Sequence, residues 1–332
     1  MSLLSNKTVL VTGATGLIGS SLTMKLMEEG ANVIVVGRSA EKLKRVFARF
    51  VGSPNFTCCE CNIANGLPEI TERIDYIFHA ASPISGAEIK EKPVDVINAN
   101  LAGVKGCLDF LREQKETTGV SGRVVIFSSA TVYGSADDHD ISVTEDKSDK
   151  ADVLSALNAP YSESKRMSEV MAYAYSRQYG VEAVVVRFSY VYGYSFVMPN
   201  TAFYQFINTT MSGNDIVMNN SGMGRRDNIF VEDAVEGLIK AAINGQSGEA
   251  YNISTNGELG NFSAIDEIAQ IISSCSNKVC GVNTTVTAKN KAETRGAGLM
   301  MDNSKIKSLG WSVKTSLEDG ILRTIEAYHD QK

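Results

Sequence analysis

The residues TGATGLIG at 12–19 constrain the fold of this chain more than any other stretch. They follow the apolar run TVLV and open a helical pattern, LIGSSLTMKLMEE, which leads into a second apolar run, NVIVV. Strand, glycine turn, helix and strand in that order make a βαβ unit. Glycines at 13, 16 and 19 allow a tight turn, close backbone approach to a ligand and close packing of helix on strand. The helix offers free N–H groups and the positive end of its dipole to a pyrophosphate. Gly13, Thr15, Gly16, Leu17, Ile18 and Gly19 are therefore expected to hold a dinucleotide, the competing reading being a tight turn with no ligand.

The pattern repeats along the chain. FTCCECNI, DYIFHAAS, GRVVIFSS and VEAVVVRFSYVYG read as strands, separated by helical stretches such as VINANLAGVKGCLDFLREQ. Strands that are apolar throughout and alternate with helices imply a parallel sheet covered on both faces. The expected fold class is α/β, a Rossmann-type doubly wound parallel sheet with a smaller C-terminal substrate-binding region. The division expected is 1–193 for the dinucleotide-binding domain, with 226–254 returning to it, and 194–225 plus 255–332 for the substrate region. The charged run at 135–153 reads most simply as an exposed loop, the alternative being a loop that covers a site.

Composition excludes some classes of function. A net charge of −6 with no basic block argues against a nucleic-acid partner. No run of eighteen apolar residues suggests a membrane span, and no leader-like apolar stretch precedes the first strand, so a cytoplasmic location is expected. Six cysteines stand at 58, 59, 61, 107, 275 and 280, three of them in TCCEC. That spacing has no CxxC pair and no nearby histidine, and Cys58 and Cys59 would point to opposite faces of a strand. Free thiols are the expectation, and no metal.

The second strand ends in VVGRS. An acid there would bind a ribose 2′-hydroxyl; Gly37 has no side chain, and Arg38 offers a guanidinium fork suited to a 2′-phosphate. NADP is expected, with NAD the alternative. Further on, YSESK places Tyr161 and Lys165 one helical turn apart on one face. They read either as a surface pair or as a phenol set up to move protons.

TGATGLIG, HAAS at 79–82, Asn100, SSATVYG at 128–134, YSESK and RDNIFVED at 226–233 occur in that order. Together they resemble the extended short-chain dehydrogenase/reductase family, the NAD(P)-dependent nucleotide-sugar epimerases and dehydratases. The resemblance implies that Tyr161 is the general acid/base. Lys165 lowers its pKa and binds the nicotinamide ribose, and Ser129, rather than Ser128, bonds the reacting oxygen. Asn62, Ile63, Ala80, Ala81, Ser82 and Asn100 are implied cofactor contacts; Ser82, Ser129, Tyr190, Arg226 and Arg295 are implied substrate contacts. Asn62, Tyr190 and Gly298 replace an acid, an asparagine and an aspartate of the family pattern.

The two residues after Ser129 are Ala130 and Thr131, where the family's 4,6-dehydratases carry an acid pair and its decarboxylases a glutamate at the second position. Reversible oxidation at sugar C4 is thus the expected chemistry, by a 4-epimerase or 4-ketoreductase. The alternatives are a 4,6-dehydratase or decarboxylase, and a non-catalytic NADP-binding sensor or scaffold. Met167, Val170, Met171 and Ala174 read as core of a monomer, or as part of the four-helix bundle through which the family suggests a homodimer.

Overall fold

A computed structural model describes residues 3–83, 86–134, 140–147, 153–290 and 298–331. The strands of the first half are β1 (Thr8–Thr12), β2 (Asn32–Gly37), β3 (Phe56–Glu60), β4 (Tyr76–His79), β5 (Arg123–Ser129), β6 (Ile141–Val143), β7 (Glu182–Phe188) and β8 (Tyr190–Tyr192). Then come β9 (Ile216–Met218), β10 (Arg225–Phe230), β11 (Ala250–Ile253), β12 (Phe262–Ala264), β13 (Val286–Ala288) and β14 (Leu299–Met301). The helices are α1 (Leu17–Glu28), α2 (Ala40–Val46), α3 (Gly86–Glu91), α4 (Pro93–Thr118) and α5 (Ala159–Tyr179). They continue with α6 (Ala202–Met211), α7 (Val231–Asn244), α8 (Ile265–Cys280), α9 (Ser304–Lys307) and α10 (Leu317–His329).

Seven strands pair in the order β11-β7-β5-β4-β1-β2-β3, every pair parallel. The expected doubly wound sheet is present. Its strands are buried on both faces, and alternation assigns each side chain to one of two cores. Val9, Val11, Val33, Val35, Val184 and Val186 meet α1 and α7 through Leu22, Leu26 and Leu238. Leu10, Ile34, Ile77, Val124, Ile126 and Val185 meet α4 and α5 through Leu108, Leu111 and Ala172. Cys58 joins the first core and Cys59 the second, so the two thiols do lie on opposite faces. Among the described residues no cluster of three or more His, Cys, Asp or Glu is arranged to hold a metal. Among them, too, no helix is long and apolar enough to cross a membrane.

Strand order reverses between β1 and β4. At such a switch point the flanking connections run to opposite sides and leave a crevice at the carboxyl ends of the strands. A three-stranded sheet, β12-β10-β8, and a two-stranded pair, β13-β9, lie outside the main sheet. Of the charged run expected as a loop, residues 135–139 and 148–152 lie outside the described residues, and 141–143 depart from that expectation. Residues 141–143 form β6, which pairs with β14. Ile141 and Val143 carry that strand, because they pack with Val132, Tyr133 and Met301.

The reading of Met167 and Val170 as monomer core is corrected: both are half exposed, at 50% and 52%. Helix α5 buries its other face, through Ser164, Lys165, Ser168 and Ala172.

The C-terminal segment is tied to the sheet through the start of α7. Asp233 is buried, and its Oδ2 accepts the backbone N–H groups of Lys314 (3.0 Å) and Thr315 (2.9 Å). Trp311, the sole tryptophan, donates Nε1–H to the Asp233 carbonyl at 2.9 Å. Truncating Asp233 strands two donors in a water-poor contact. Asp233→Ala is expected to lower unfolding free energy by about 2–4 kcal/mol in urea titrations, and Asp233→Asn by less.

Candidate active site

The site is assembled at the carboxyl ends of β1, β4, β5 and β7. Gly13 has φ +65°, and a Cβ there would lie 2.6 Å from the Ala81 nitrogen and 2.7 Å from the Ala80 carbonyl carbon. Only a residue with no side chain lets the turn press on the end of β4. Gly16 N-caps α1, with its N–H bonded to the Gly13 carbonyl at 3.0 Å. At Gly19 a Cβ would meet Ala14 Cα at 3.0 Å, so α1 packs tightly on its own turn. The α1 N-terminus is thus an open cradle of N–H groups of the kind that holds a pyrophosphate. Leu17 and Ile18 turn into the core beside the cradle, and Ile63 is buried in the opposite core.

A cavity of about 170 Å³ beside this turn is lined by Thr15, Arg38, Ser39 and Lys42. Ser39 caps α2, its hydroxyl accepting the Lys42 N–H at 3.1 Å. That cap starts the helix just after β2 and brings the Lys42 side chain to the same cavity as Arg38. A Cβ on Gly37 would stand 3.2 Å from Leu43, so an acid there would need Leu43 to move. Asn62 is exposed and caps a short turn, accepting the Ala64 N–H at 3.3 Å.

Tyr161 and Lys165 occupy the first turns of α5, with the Lys165 Nζ 5.8 Å from the centre of the Tyr161 ring. The Tyr161 hydroxyl faces the hydroxyls of Ser129 and Ser82. Burial pushes this phenol up from its ordinary value, and those two hydroxyls oppose the rise. The Lys165 ammonium donates to the Phe127 carbonyl at 2.8 Å. Burial pushes Lys165 down to about 8, with the Glu169 carboxylate opposing the shift.

Asn100 is buried on α4 and links the two sides. Its Oδ1 accepts from Ser82 at 2.7 Å, and its Nδ2 donates to Ser164 at 2.8 Å, which donates in turn to the Tyr161 carbonyl at 3.0 Å. His79 ends β4 fully buried, its Nδ1 2.9 Å from the Thr12 hydroxyl. Burial and the Lys165 charge push it down to about 3, so it stays neutral. Ser128 and Ser129 separate cleanly: Ser128 donates to Glu169 at 2.5 Å, away from Tyr161. Behind them lies a group the sequence reading missed, Glu169, Arg187 and Tyr133. Its signals were present, since Arg187 interrupts an apolar strand and Glu169 stands one turn beyond Lys165.

On the other wall, exposed Arg226 lies over the Tyr190 ring, 5.2 Å from its centre, and the Tyr190 hydroxyl meets Thr201 at 2.9 Å. The aspartate absent at Gly298 has a steric reason: a Cβ there would be 2.6 Å from the Phe262 ring. Arg295 lies outside the described residues.

The family model for the NAD dependent epimerase/dehydratase family matches residues 9–254, which span the glycine turn, Ser129, Tyr161, Lys165 and Arg226. The chain belongs to that family. It is 30% identical to UDP-glucuronic acid decarboxylase 1 of Danio rerio, over 97% of this chain and 72% of the relative. It is 26% identical to the human dTDP-D-glucose 4,6-dehydratase, over 98% of this chain and 90% of the relative. Among solved structures, UDP-glucose 4-epimerase of Thermotoga maritima with UDP-glucose superposes with a TM-score of 0.76 at 24% identity, covering 98% and 99% of the two chains. A dTDP-glucose 4,6-dehydratase of Bacillus anthracis in complex with NAD gives 0.78 at 22% identity, covering 98% and 97%. These two likenesses establish a shared fold.

Because Gly13 has both a left-handed backbone and no room for a Cβ, Gly13→Ala is expected to cost about 1–3 kcal/mol in backbone strain alone. Thermal melts should show the loss, and dinucleotide titration should show weakened binding.

Proposed function

We propose that the chain uses NAD(P) to oxidise and re-reduce C4 of a nucleotide-linked sugar. The observation that carries this reading is the Tyr161 hydroxyl held between Ser129 and Ser82, one turn from a buried Lys165. When bound, the nicotinamide supplies a hydride acceptor and donor. The Gly13–Gly19 turn fits its pyrophosphate, and Arg38, Lys42 and Thr15 fit a 2′-phosphate. Tyr161 takes the proton of the C4 hydroxyl and returns it, Ser129 orients that oxygen, and the nearby ammonium of Lys165 favours the phenolate. Tyr190 and Arg226 serve the substrate's diphosphate, and Arg295 is assigned there by its place in the sequence.

The decarboxylases and dehydratases among the relatives support the alternative raised above over 4-epimerisation or 4-keto reduction. Ala130 and Thr131 count more heavily against dehydration than against decarboxylation, although the glutamate that the family's decarboxylases carry at the second position is absent here too. Eliminating water across C5 and C6 requires a base for the C5 proton and an acid for the leaving hydroxyl, and neither residue supplies one. A 4-keto uronic acid is a β-keto acid. Its C5–C6 bond breaks to release CO₂, the electron pair passes to the C4 oxygen as an enolate, and a proton then returns to C5. The step needs the ketone oxygen held at Ser129 and Tyr161 and a proton for C5, which solvent supplies. Half-exposed Met167 and Val170 support a homodimer through α4 and α5.

Given UDP-glucuronic acid and cofactor, the protein is expected to release CO₂ and form a pentose product detectable by NMR. Given UDP-glucose instead, formation of its C4 epimer would restore the epimerase reading, and turnover of no nucleotide sugar in a broad panel would overturn the proposal. Tyr161→Phe should cut turnover roughly 10²–10⁴-fold with the fold intact by circular dichroism.

NADP is expected to bind more tightly than NAD. Arg38→Ala or Lys42→Ala should weaken NADP roughly tenfold to a hundredfold and leave NAD nearly unchanged in fluorescence titrations. A wild-type preference for NAD would refute the 2′-phosphate assignment.

A further inference from the structure

A buried ion pair lies directly behind Ser129 and Lys165. Glu169 stands four residues after Lys165, on the same face of α5. Its Oε2 accepts Arg187 Nη2 at 2.7 Å, and its Oε1 accepts Arg187 Nε at 3.0 Å and the Ser128 hydroxyl at 2.5 Å. Both side chains are only 12% exposed. Arg187 also donates from Nη1 to the Tyr133 hydroxyl (2.7 Å) and to the Glu145 carbonyl (2.9 Å). Tyr133 donates to Asn252 (2.7 Å), whose backbone N–H donates to the Glu145 carboxylate (2.8 Å).

Stability alone is a poor reason for such a pair. Desolvating two charges offsets most of their attraction, and an apolar pair of similar volume is often as stable. Position is a better reason. Helix α5 is stitched to β5 at two consecutive residues, by Lys165 on the Phe127 carbonyl and by Glu169 on the Ser128 hydroxyl. The next residue on β5 is Ser129. Both stitches therefore control how the Tyr161 and Ser129 hydroxyls meet.

Charge points the same way. From β4, neutral His79 faces Lys165; from α4, the Cys107 thiol sits on His79, pushed up to about 12 by burial. From α5 itself come Tyr161 and Glu169. Arg187 from β7 approaches Glu169, with Tyr133 and Glu145 on its far side. Glu169 is the one carboxylate among these groups that acts on Lys165 directly.

We propose that Glu169 is the positioning residue for Lys165: gripped by Arg187 and Ser128, it registers α5 on β5 and is the counter-charge that holds the ammonium beside Tyr161. This rests on the roles of Ser129, Tyr161 and Lys165 given above, but its deciding measurement needs no substrate. The full chain is labelled with [ε-¹³C]lysine, and the Lys165 signal is assigned by its loss in Lys165→Met. The wild-type signal should titrate near pH 8. Glu169→Gln keeps the shape and removes the charge, so the ammonium is less favoured and the midpoint should fall by roughly one pH unit or more. Glu169→Asp keeps the charge but withdraws it by one methylene, so its midpoint should fall less; it is the deciding variant if Glu169→Gln does not fold. The alkaline limb of kcat/KM should move down in step with the midpoint. An unchanged midpoint in a natively folded variant would overturn the proposal and leave Glu169 a brace. A shifted midpoint in a protein that turns over no nucleotide sugar would uphold it while refuting the proposed function.

Discussion

The site depends on one close approach, that of the Gly13 turn to the end of β4. The turn can press against Ala80 and Ala81 only because residue 13 has no Cβ and adopts a left-handed backbone. The contact holds the α1 N-terminus at the switch point between β1 and β4, where the sheet opens a crevice. Thr12 and His79, facing each other across the ends of the same two strands, reinforce it without introducing a charge. A bulkier residue at 13 would push apart the elements that carry Ser82, and through Ser82 the Tyr161 hydroxyl.

Around this point the molecule reverses its usual economy. Elsewhere the sheet buries apolar side chains on both faces. At the carboxyl ends of β5 and β7 it buries a lysine, a carboxylate, a guanidinium and several hydroxyls. Those groups satisfy one another, which is the condition on which polar groups are tolerated away from water. Asn100 illustrates the cost of losing a member. Its amide bonds Ser82 on one side and Ser164 on the other, so its removal would leave both hydroxyls short of a partner.

The wall beside Ser129 is defined by what it lacks as much as by what it holds. Ala130 and Thr131 provide no carboxyl group beside Ser129, and Phe262 takes the space an aspartate at 298 would need. A reaction whose intermediate breaks down once the ketone is formed asks little of such a wall. One that must remove and return water asks more than these residues offer.

The parallel sheet, the glycine cradle and the Tyr161–Lys165 pair were legible in the sequence because each rests on a local pattern: continuous apolar runs alternating with helices, glycines three apart, and two side chains one helical turn apart. The membership in the epimerase/dehydratase family followed from their order. Contacts that join distant segments were not legible. Lys42 enters the Arg38 cavity only because Ser39 starts α2 where it does. Residues 141–143 look like part of a charged loop until β14 pairs with them. Met167 and Val170 have the spacing of a core face, yet the helix buries its other side. The largest difference concerns Lys165. Sequence placed it one turn from Tyr161, but only the packing of α5 on β5 and β7 decided that its ammonium meets the Phe127 carbonyl and that Glu169 is held by Arg187. One-dimensional spacing specifies which face a residue occupies; which charges share a buried volume depends on strands far apart in the chain.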